Sequence, residues 1–436
     1  MEFDSDNGAE GDVEVVPAVN RSGDFVFDCD LTRRHRRIRR TRVQTSTVVS
    51  DLALNLVPLP AVTERIADLA HVAAGAYIVD RNTARGVRFS RDLALTLAVL
   101  DPDAWTDAVL DAVADLLGWL TGDVWDLTIT PAPPIKLPDH WPDDEHDGPV
   151  SLLSGGLDSF MGALQLLQSG RAPSLTAHKD SANVVRGAQR RTWLWLARSF
   201  KPPPSYTRIA LTQTGPRIEA SSRSRAFMFM TLGVAVATAR RAKTLVIPEN
   251  GYTSINLPLR PNRGGALSTR STHPQTLHQF AGILKALGID VTIENPYSWM
   301  TKGEAMAALT SNTLPEGWQT AAANTLSCSK LDGRWYGAPP AFNCGLCVPC
   351  MVRRATFLKA DITDGTPYVC DNVAQEQRAK LIDKRRGDIE AVKYAIANGV
   401  DPNAIDAGTW PPGYALDRVE DLVQRGLDEL AMLTLP

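Results

Sequence analysis

The sequence predicts an α/β fold, a doubly wound parallel sheet covered by helices, with a small N-terminal α/β domain in front of it. Three observations carry this reading. From Val150 onward, apolar runs at 150–153, 174–177, 206–211, 244–247 and 290–293 alternate with helical periodicity at 187–199, 224–241 and 275–287. Such alternation makes a parallel sheet with helices on both faces. The first run ends in Ser154-Gly155-Gly156-Leu157-Asp158-Ser159, a glycine turn that feeds the apolar-periodic stretch Phe160 to Leu167. Ligands of these sheets sit at strand carboxyl ends, near a switch in strand order, which is where this turn lies. Residues 46–135 carry a separate mixture of strand and helix periods.

Taken in order, residues 1–45 read as a disordered, charged terminus. Asp4, Asp6, Glu10, Asp12 and Glu14 give way to Arg33, Arg34, Arg36, Arg37, Arg39, Arg40 and Arg42. The basic run suits a phosphate backbone, an acidic partner or, as the preferred reading, plain solvation. In the accessory domain, residues 46–135, Ile66, Leu69, Ala70, Ala73 and Ala74 have helical spacing, and Leu93, Leu95, Leu97 and Val99 alternate like a half-buried strand. Asp101-Pro102 reads as an N-cap with proline at the first helical position, opening a helix with Val109, Leu110, Val113, Leu116, Leu117 and Leu120 on one stripe. Gly122-Asp123 then turns the chain into a strand with Trp125, Leu127 and Ile129 inward. Tyr77, Asp80 and Arg81 read as a core tyrosine beside a surface ion pair. Residues 136–149 are a proline- and acid-rich linker, 150–370 the main domain, and 371–436 a charged helical extension broken at Trp410-Pro411-Pro412-Gly413.

Composition narrows the function classes. A net charge of −3 over 436 residues gives no whole-chain case for nucleic-acid binding. No apolar run approaches the ~18 residues that span a bilayer. Met1 to Glu14 lacks an apolar signal core, so a cytoplasmic location is expected. Four of the six cysteines are bunched between Cys328 and Cys350, which is metal usage in a reducing compartment. Cys29 and Cys370 are left over as free thiols.

The Ser154–Ser159 turn gathers backbone N–H groups, two hydroxyls and a helix N-terminus around one small volume. Such a volume favours phosphate, and the glycines let the backbone approach it. Asp158 has the wrong charge for an anion and suits Mg²⁺ held against a pyrophosphate. The turn is not a Walker A loop, which needs G-x-x-x-x-G-K-[ST]. It resembles the S-G-G-x-D-S motif of the PP-loop ATP pyrophosphatases, of adenine nucleotide α-hydrolase-like fold, which cleave ATP between the α and β phosphates. Asp158→Ala is expected to abolish turnover and spare the fold, as a change on a loop. The run Cys344-Gly345-Leu346-Cys347-Val348-Pro349-Cys350, with Cys328 upstream, offers four thiolates for a structural Zn²⁺. An iron–sulfur cluster is the other ligand that such spacings serve.

The two motifs in this order resemble the 7-cyano-7-deazaguanine synthase (QueC) family, over roughly Val150 to Lys359. Glu294-Asn295-Pro296-Tyr297-Ser298-Trp299-Met300-Thr301-Lys302-Gly303-Glu304 is similar to its E-T-P-x-x-W-x-x-K-x-E stretch, and Thr325-Leu326-Ser327-Cys328 to its T-x-S/T-C. Arg225 falls on the arginine of its G-R-N tripeptide, which here reads Ser224-Arg225-Ala226, and Lys302 on its W-x-x-K lysine. The resemblance implies that Arg225 and Lys302 stabilise phosphate charge, with Asp158 and Ser159, in the transition state. It implies ATP-dependent adenylation of 7-carboxy-7-deazaguanine and attack by a nitrogen nucleophile, with AMP and pyrophosphate released. The family's Y-G-Q loop reads Ala177-His178-Lys179-Asp180-Ser181, which leaves the acceptor open. Long chains with an N-terminal extension resemble the QueC-like proteins of anti-phage defence, in Qat and CBASS systems. That implies a defence role and a protein partner encoded nearby; the added unit 46–135, a surface for such a partner, makes an amine of that partner the expected acceptor. Alternatives are a nitrile-forming synthase of the queuosine pathway, a tRNA- or nucleotide-modifying PP-loop enzyme such as a thiolase, and a non-catalytic nucleotide-binding scaffold.

Overall fold

The chain folds as a mixed α/β protein with parallel pairing in its sheets, in a computed structural model that describes residues 11–19, 25–33, 46–50, 60–85, 90–132, 148–178, 182–209, 211–213, 219, 222–261 and 269–436. In chain order the first elements are β1 (Gly11–Val19), β2 (Phe25–Arg33), β3 (Ser46–Ser50), α1 (Pro60–Asn82), β4 (Asp92–Val99), α2 (Asp107–Thr121) and β5 (Val124–Pro131). Then come β6 (Val150–Leu152), α3 (Leu157–Gln168), β7 (Ser174–His178), α4 (Asn183–Ser199), β8 (Ser205–Ile209), β9 (Leu211–Gln213), α5 (Arg225–Ala239) and β10 (Thr244–Val246). They are followed by α6 (Gly251–Ile255), α7 (Pro274–Ala286), β11 (Thr292–Glu294), α8 (Lys302–Thr310), α9 (Trp318–Ala323) and α10 (Val348–Lys359). The C-terminal elements are α11 (Val369–Asn372), α12 (Gln375–Asn398), α13 (Pro402–Asp406) and α14 (Leu416–Ala431). Among the described residues no helix is long and apolar enough to cross a membrane.

Two compact units divide these elements. The first comprises 1–150, 207–245 and 269–293; the second comprises 151–206, 246–268 and 294–436.

In the first unit, a six-stranded sheet runs β5-β4-β1-β2-β3-β9. β1 pairs parallel with β4, and β4 with β5; β1/β2, β2/β3 and β3/β9 are antiparallel. β1 and β2 fall in the segment predicted to be disordered. That expectation is corrected, because Gly11–Val19 and Phe25–Arg33 are interior strands of this sheet. Arg34 to Arg42 lie outside the described residues, as does most of the 136–149 linker.

α1 packs against both this sheet and α5, which is why Ile66, Leu69, Val72, Ala73, Ala76, Ile78 and Val79 are buried right round its circumference. Asp101-Pro102 opens only a 3-10 turn, Pro102–Ala104, and α2 starts later from Thr106. The reason is tertiary: the Asp101 carboxylate accepts from Arg65 Nε at 2.8 Å and caps no helix N–H. At the far end of α2, Gly122 takes φ +75° and its N–H returns to Gly118 O. Trp125 and Leu127 of β5 are buried as expected, and Ile129 is only partly so.

Asp80 is not part of a surface pair, which corrects the expectation for it. It is fully buried and meets Arg91 Nη2 at 2.7 Å, while Arg91 also meets Asp123 at 2.5 Å and Arg85 meets Asp123 at 2.9 Å. Asp80 Oδ2 further accepts from Arg223 N, Ser224 N and Ser224 Oγ at 2.7, 3.0 and 3.0 Å. Arg81 instead donates to Tyr77 Oη at 2.7 Å.

A five-stranded sheet runs β11-β10-β6-β7-β8. The chain steps outward from β6 through β7 to β8, then resumes on the other side of β6 with β10 and β11, so the strand order reverses at β6. Thr292 N donates to Lys243 O and Ile247 N to Glu294 O, a ladder that advances the same way along β10 and β11 and is therefore parallel. The main core of the second unit gathers Leu153, Leu157, Phe160, Leu164, Leu175, Tyr297, Met306 and Phe357.

Candidate functional site

The Ser154–Ser159 turn leaves the carboxyl end of β6 and folds on itself. Gly155 has φ +87°, a conformation glycine adopts without the clash a side chain brings, and a Cβ there would lie 3.2 Å from Gln189 Cγ. Gly156 is the extended residue ahead of α3. Its N–H donates to Ser154 Oγ at 3.2 Å, Ser154 Oγ donates to Ser159 Oγ at 3.1 Å, and Ser159 Oγ donates to Gly156 O at 3.0 Å. Leu326 N ties the turn down from outside by donating to Gly155 O at 2.9 Å. Two hydroxyls and the first turn of a twelve-residue helix are thereby set side by side.

Asp158 lies in the first turn of α3 and is buried, not on an open loop. This corrects the placement of Asp158 on a loop, on which the expectation of a spared fold rested. Its Oδ2 meets Lys302 Nζ at 2.9 Å and accepts from Asn250 Nδ2 at 3.2 Å. Its Oδ1 is buried and receives no N–H or hydroxyl hydrogen bond. A buried carboxylate oxygen with no N–H or hydroxyl donor is one that a hard cation can take.

Lys302 is the first residue of α8 and is itself buried. Thr301 caps that helix: Thr301 Oγ1 accepts from Glu304 N at 3.1 Å and Glu304 Oε2 accepts from Thr301 N at 2.9 Å, a reciprocal capping box. The similarity at Glu294–Glu304 thus has a local physical basis, since Thr301 and Glu304 fix the helix start that presents Lys302.

Two residues of this cluster escaped the sequence reading. Asn250 caps α6, accepting from Thr253 N at 3.0 Å, and uses its amide N–H to reach Asp158. Glu249 precedes it, half-buried. Burial first, and then the Asp158 charge, pushes the Glu249 carboxyl up to about 8, so near neutrality it keeps its proton and hydrogen-bonds to Asp158. Burial, followed by the same charge, also raises the Tyr297 phenol far above its ordinary value, and its hydroxyl is buried without a hydrogen-bond partner. The available signal was the polar Glu249-Asn250 pair directly after an apolar strand. Asp158, Ser159 and Lys302 are therefore brought together, at the carboxyl ends of β6, β10 and β11 with Glu249 and Asn250. Arg225 opens α5 in the first unit, exposed, with its guanidinium 4.7 Å from the Phe229 ring centroid.

The second centre is the cysteine cluster. The Sγ atoms of Cys328, Cys344, Cys347 and Cys350 all lie within 4.8 Å of one another, close enough to hold one metal ion. Cys344 to Cys350 and Cys328 to Cys347 are each 3.9 Å apart. A tetrahedron with metal–sulfur bonds of about 2.3 Å has edges of about 3.8 Å. Backbone N–H groups of Lys330, Leu331 and Cys344 point at Cys328 Sγ at 3.4 Å, and Cys347 N at Cys344 Sγ at 3.2 Å. Asn343 Oδ1 accepts from Ser327 N and Cys328 N at 2.9 Å, which locks the upstream ligand to the downstream run. Gly345 has φ +88°, and a Cβ on it would lie 2.3 Å from Cys370 Sγ. Cys370 is a buried free thiol pushed up to about 12, by burial and then by the Asp371 charge. The side chain of Cys29, on β2, lies outside the described residues.

No protein-family model matches the chain, and no curated protein matches it.

Proposed function

We propose that the chain is an ATP-dependent ligase of the PP-loop type, on a doubly wound sheet, that activates the carboxylate of a 7-deazaguanine as an acyl adenylate and passes it to a nitrogen nucleophile. The observation that carries the reading is the joining of the Ser154–Ser159 turn to the Asp158–Lys302 pair where strand order reverses. That reversal point is where sheets of this class take ligands.

On this reading the hydroxyls of Ser154 and Ser159 and the first-turn N–H groups of α3 hold the phosphates, since those N–H groups have no acceptor within the helix. Asp158 holds Mg²⁺, which when bound draws charge from the phosphate oxygens. Lys302 pairs with Asp158 and offers its ammonium to charge developing on the phosphates. The chemistry asks for placement and charge stabilisation more than for proton traffic.

The deazaguanine carboxylate rests on the family resemblance, as does a role in anti-phage defence. A protein amine as acceptor is favoured by the added N-terminal unit, a surface that free ammonia does not need. The four cysteines serve as a structural Zn²⁺ site, because four protein ligands leave no open position for substrate.

The test is product analysis with ATP labelled at the α phosphate and 7-carboxy-7-deazaguanine, with and without neighbouring operon proteins. AMP and pyrophosphate that appear only with the deazaguanine are the expected products. ADP and phosphate would overturn the reading. Binding without turnover would leave a scaffold, and dependence on tRNA would leave a nucleic-acid-modifying enzyme.

A further inference from the structure

The polar cluster around Asp158 is gripped from behind by the C-terminal helix. α14 sends three side chains to the segment that carries Lys302. Glu429, buried, accepts from Gly303 N at 3.2 Å through Oε2, and its Oε1 takes the Thr301 hydroxyl. Arg425, one helical turn earlier, pairs with Glu304 of the capping box and donates to Trp299 O at 3.4 Å. Arg418 lies 4.1 Å over the Trp299 ring, whose neighbouring ring Tyr414 stacks at 4.9 Å, just ahead of α14.

The same helix also packs against α6, whose cap Asn250 touches Asp158 as well. Tyr252 of α6 lies so close to Gly426 that a Cβ on that glycine would sit 2.2 Å from the ring. Asn250 is the cap of that same α6. On the α8 side the approach is equally tight: a Cβ on Gly303 would lie 2.5 Å from Glu429 Oε1 and 2.6 Å from Lys359 Cβ. Both partners of Asp158 Oδ2 thus stand at the start of a segment that touches α14.

We propose that α14 is a positioning element of the site, with Glu429 as the residue that fixes Lys302 against Asp158. The carboxylate sits at the N-terminus of α8, where the helix favours negative charge. It takes one donor on each side of Lys302, from Thr301 and Gly303. The residue between two anchored neighbours has little freedom to swing, so the direction of its side chain is set. The importance of that direction for turnover rests on the proposed function; the anchoring itself does not.

The experiment uses the full chain and reads Lys302 directly. Acylation of lysines by an amine-reactive reagent is followed by peptide mass spectrometry, with exposed Lys380 as internal reference. Glu429→Ala is expected to raise the labelling rate of Lys302 relative to Lys380 by about tenfold, the scale of losing a charge-assisted buried hydrogen bond. Glu429→Gln, which keeps an acceptor for Gly303 N, should restore most of the protection. Asp428→Ala, on the exposed side of the same turn, should leave labelling unchanged. If Glu429→Ala does not fold, Glu429→Asp is read in the same way, being one methylene too short to keep both contacts. In pyrophosphate release the alanine variant should lose kcat by about tenfold and keep KM for ATP. Unchanged Lys302 labelling in a folded Glu429 variant overturns the positioning role. A parent chain that makes no pyrophosphate with any acceptor overturns the proposed function, and the labelling result still decides the role of Glu429.

Discussion

Asp80→Ala tests the buried ion network of the first unit. Asp80 and Asp123 balance Arg85 and Arg91, so the four charges cancel in a place with almost no solvent. Alanine leaves one positive charge in excess there. It also strips the acceptor from Arg223 N and from Ser224 N and Oγ. Breaking a buried pair from one side costs about 3–5 kcal/mol, because the remaining charge has lost its water and its partner. In a unit of this size each kcal/mol moves the midpoint by about 2–4 °C, so a fall of about 10 °C is expected. Calorimetry, or circular dichroism with temperature, on the full chain reads it. Asp80→Ala/Arg91→Met should recover part of the loss, since removing both charges relieves the excess that removing one creates. A single variant within about 2 °C of the parent would refute the reasoning and mean that water reaches this cluster.

Three further outcomes are expected. Asp158→Asn, which keeps the shape but not the charge, should abolish pyrophosphate release and leave a folded chain; Asp158→Ala should also destabilise by about 3–5 kcal/mol, since Lys302 is left buried and unpaired, and a melting curve unchanged in Asp158→Ala would contradict the buried pair. One zinc per chain should be found by elemental analysis of the aerobically purified protein and lost in Cys347→Ser with a large fall in midpoint, because a structural metal contributes folding energy; iron with acid-labile sulfide would refute it. Burial lowers His71 to about 3 and, with Arg270, His273 to about 4. A depressed histidine favours the folded state above its unfolded value near 6.5 and loses that stability as pH falls towards the folded value, at about 1.4 kcal/mol per pH unit for each group. The acid side of the stability profile should therefore flatten in His71→Phe, and an identical slope would sink the assignment.

Local signals made much of the fold legible. The apolar runs at 150–153, 174–177, 244–247 and 290–293 each give one strand, and the helices between them show the 3.6-residue period, while 206–211 is divided between β8 and β9, which belong to different sheets. The failures came where tertiary partners decide. Asp101-Pro102 has the chemistry of a helix start, but Arg65 takes its carboxylate, and the helix waits for Thr106. Residues 11–19 and 25–33 carry a short alternation of charged and apolar residues, Asp12 to Val15 and Phe27 to Leu31, that the charge around it outweighs; Val13 pairs with Leu95 of β4 on one side and Leu31 of β2 on the other. Asp80 read as a surface charge because its partners lie at Arg91 and at Ser224, far along the chain.

The site was legible to the extent that one short segment carries it. Ser154 to Ser159 needs Gly155 for its left-handed φ and its serines for a closed hydroxyl chain, so the whole device is written in consecutive residues. Lys302 was found through resemblance, and its local logic is the capping box of Thr301 and Glu304. Glu249, Asn250 and Glu429 belong to the same cluster but carry no motif, since each acts through a partner distant in sequence. What joins them is charge. Asp158 pairs with Lys302, and burial first, then the Asp158 charge, is why the Glu249 carboxyl beside it keeps its proton. One carboxylate of the pair is thereby ready for a cation while the other is a hydrogen-bond donor. Burial of Glu249 is the larger cause of that difference, and the lysine paired with Asp158 takes its position from the last helix.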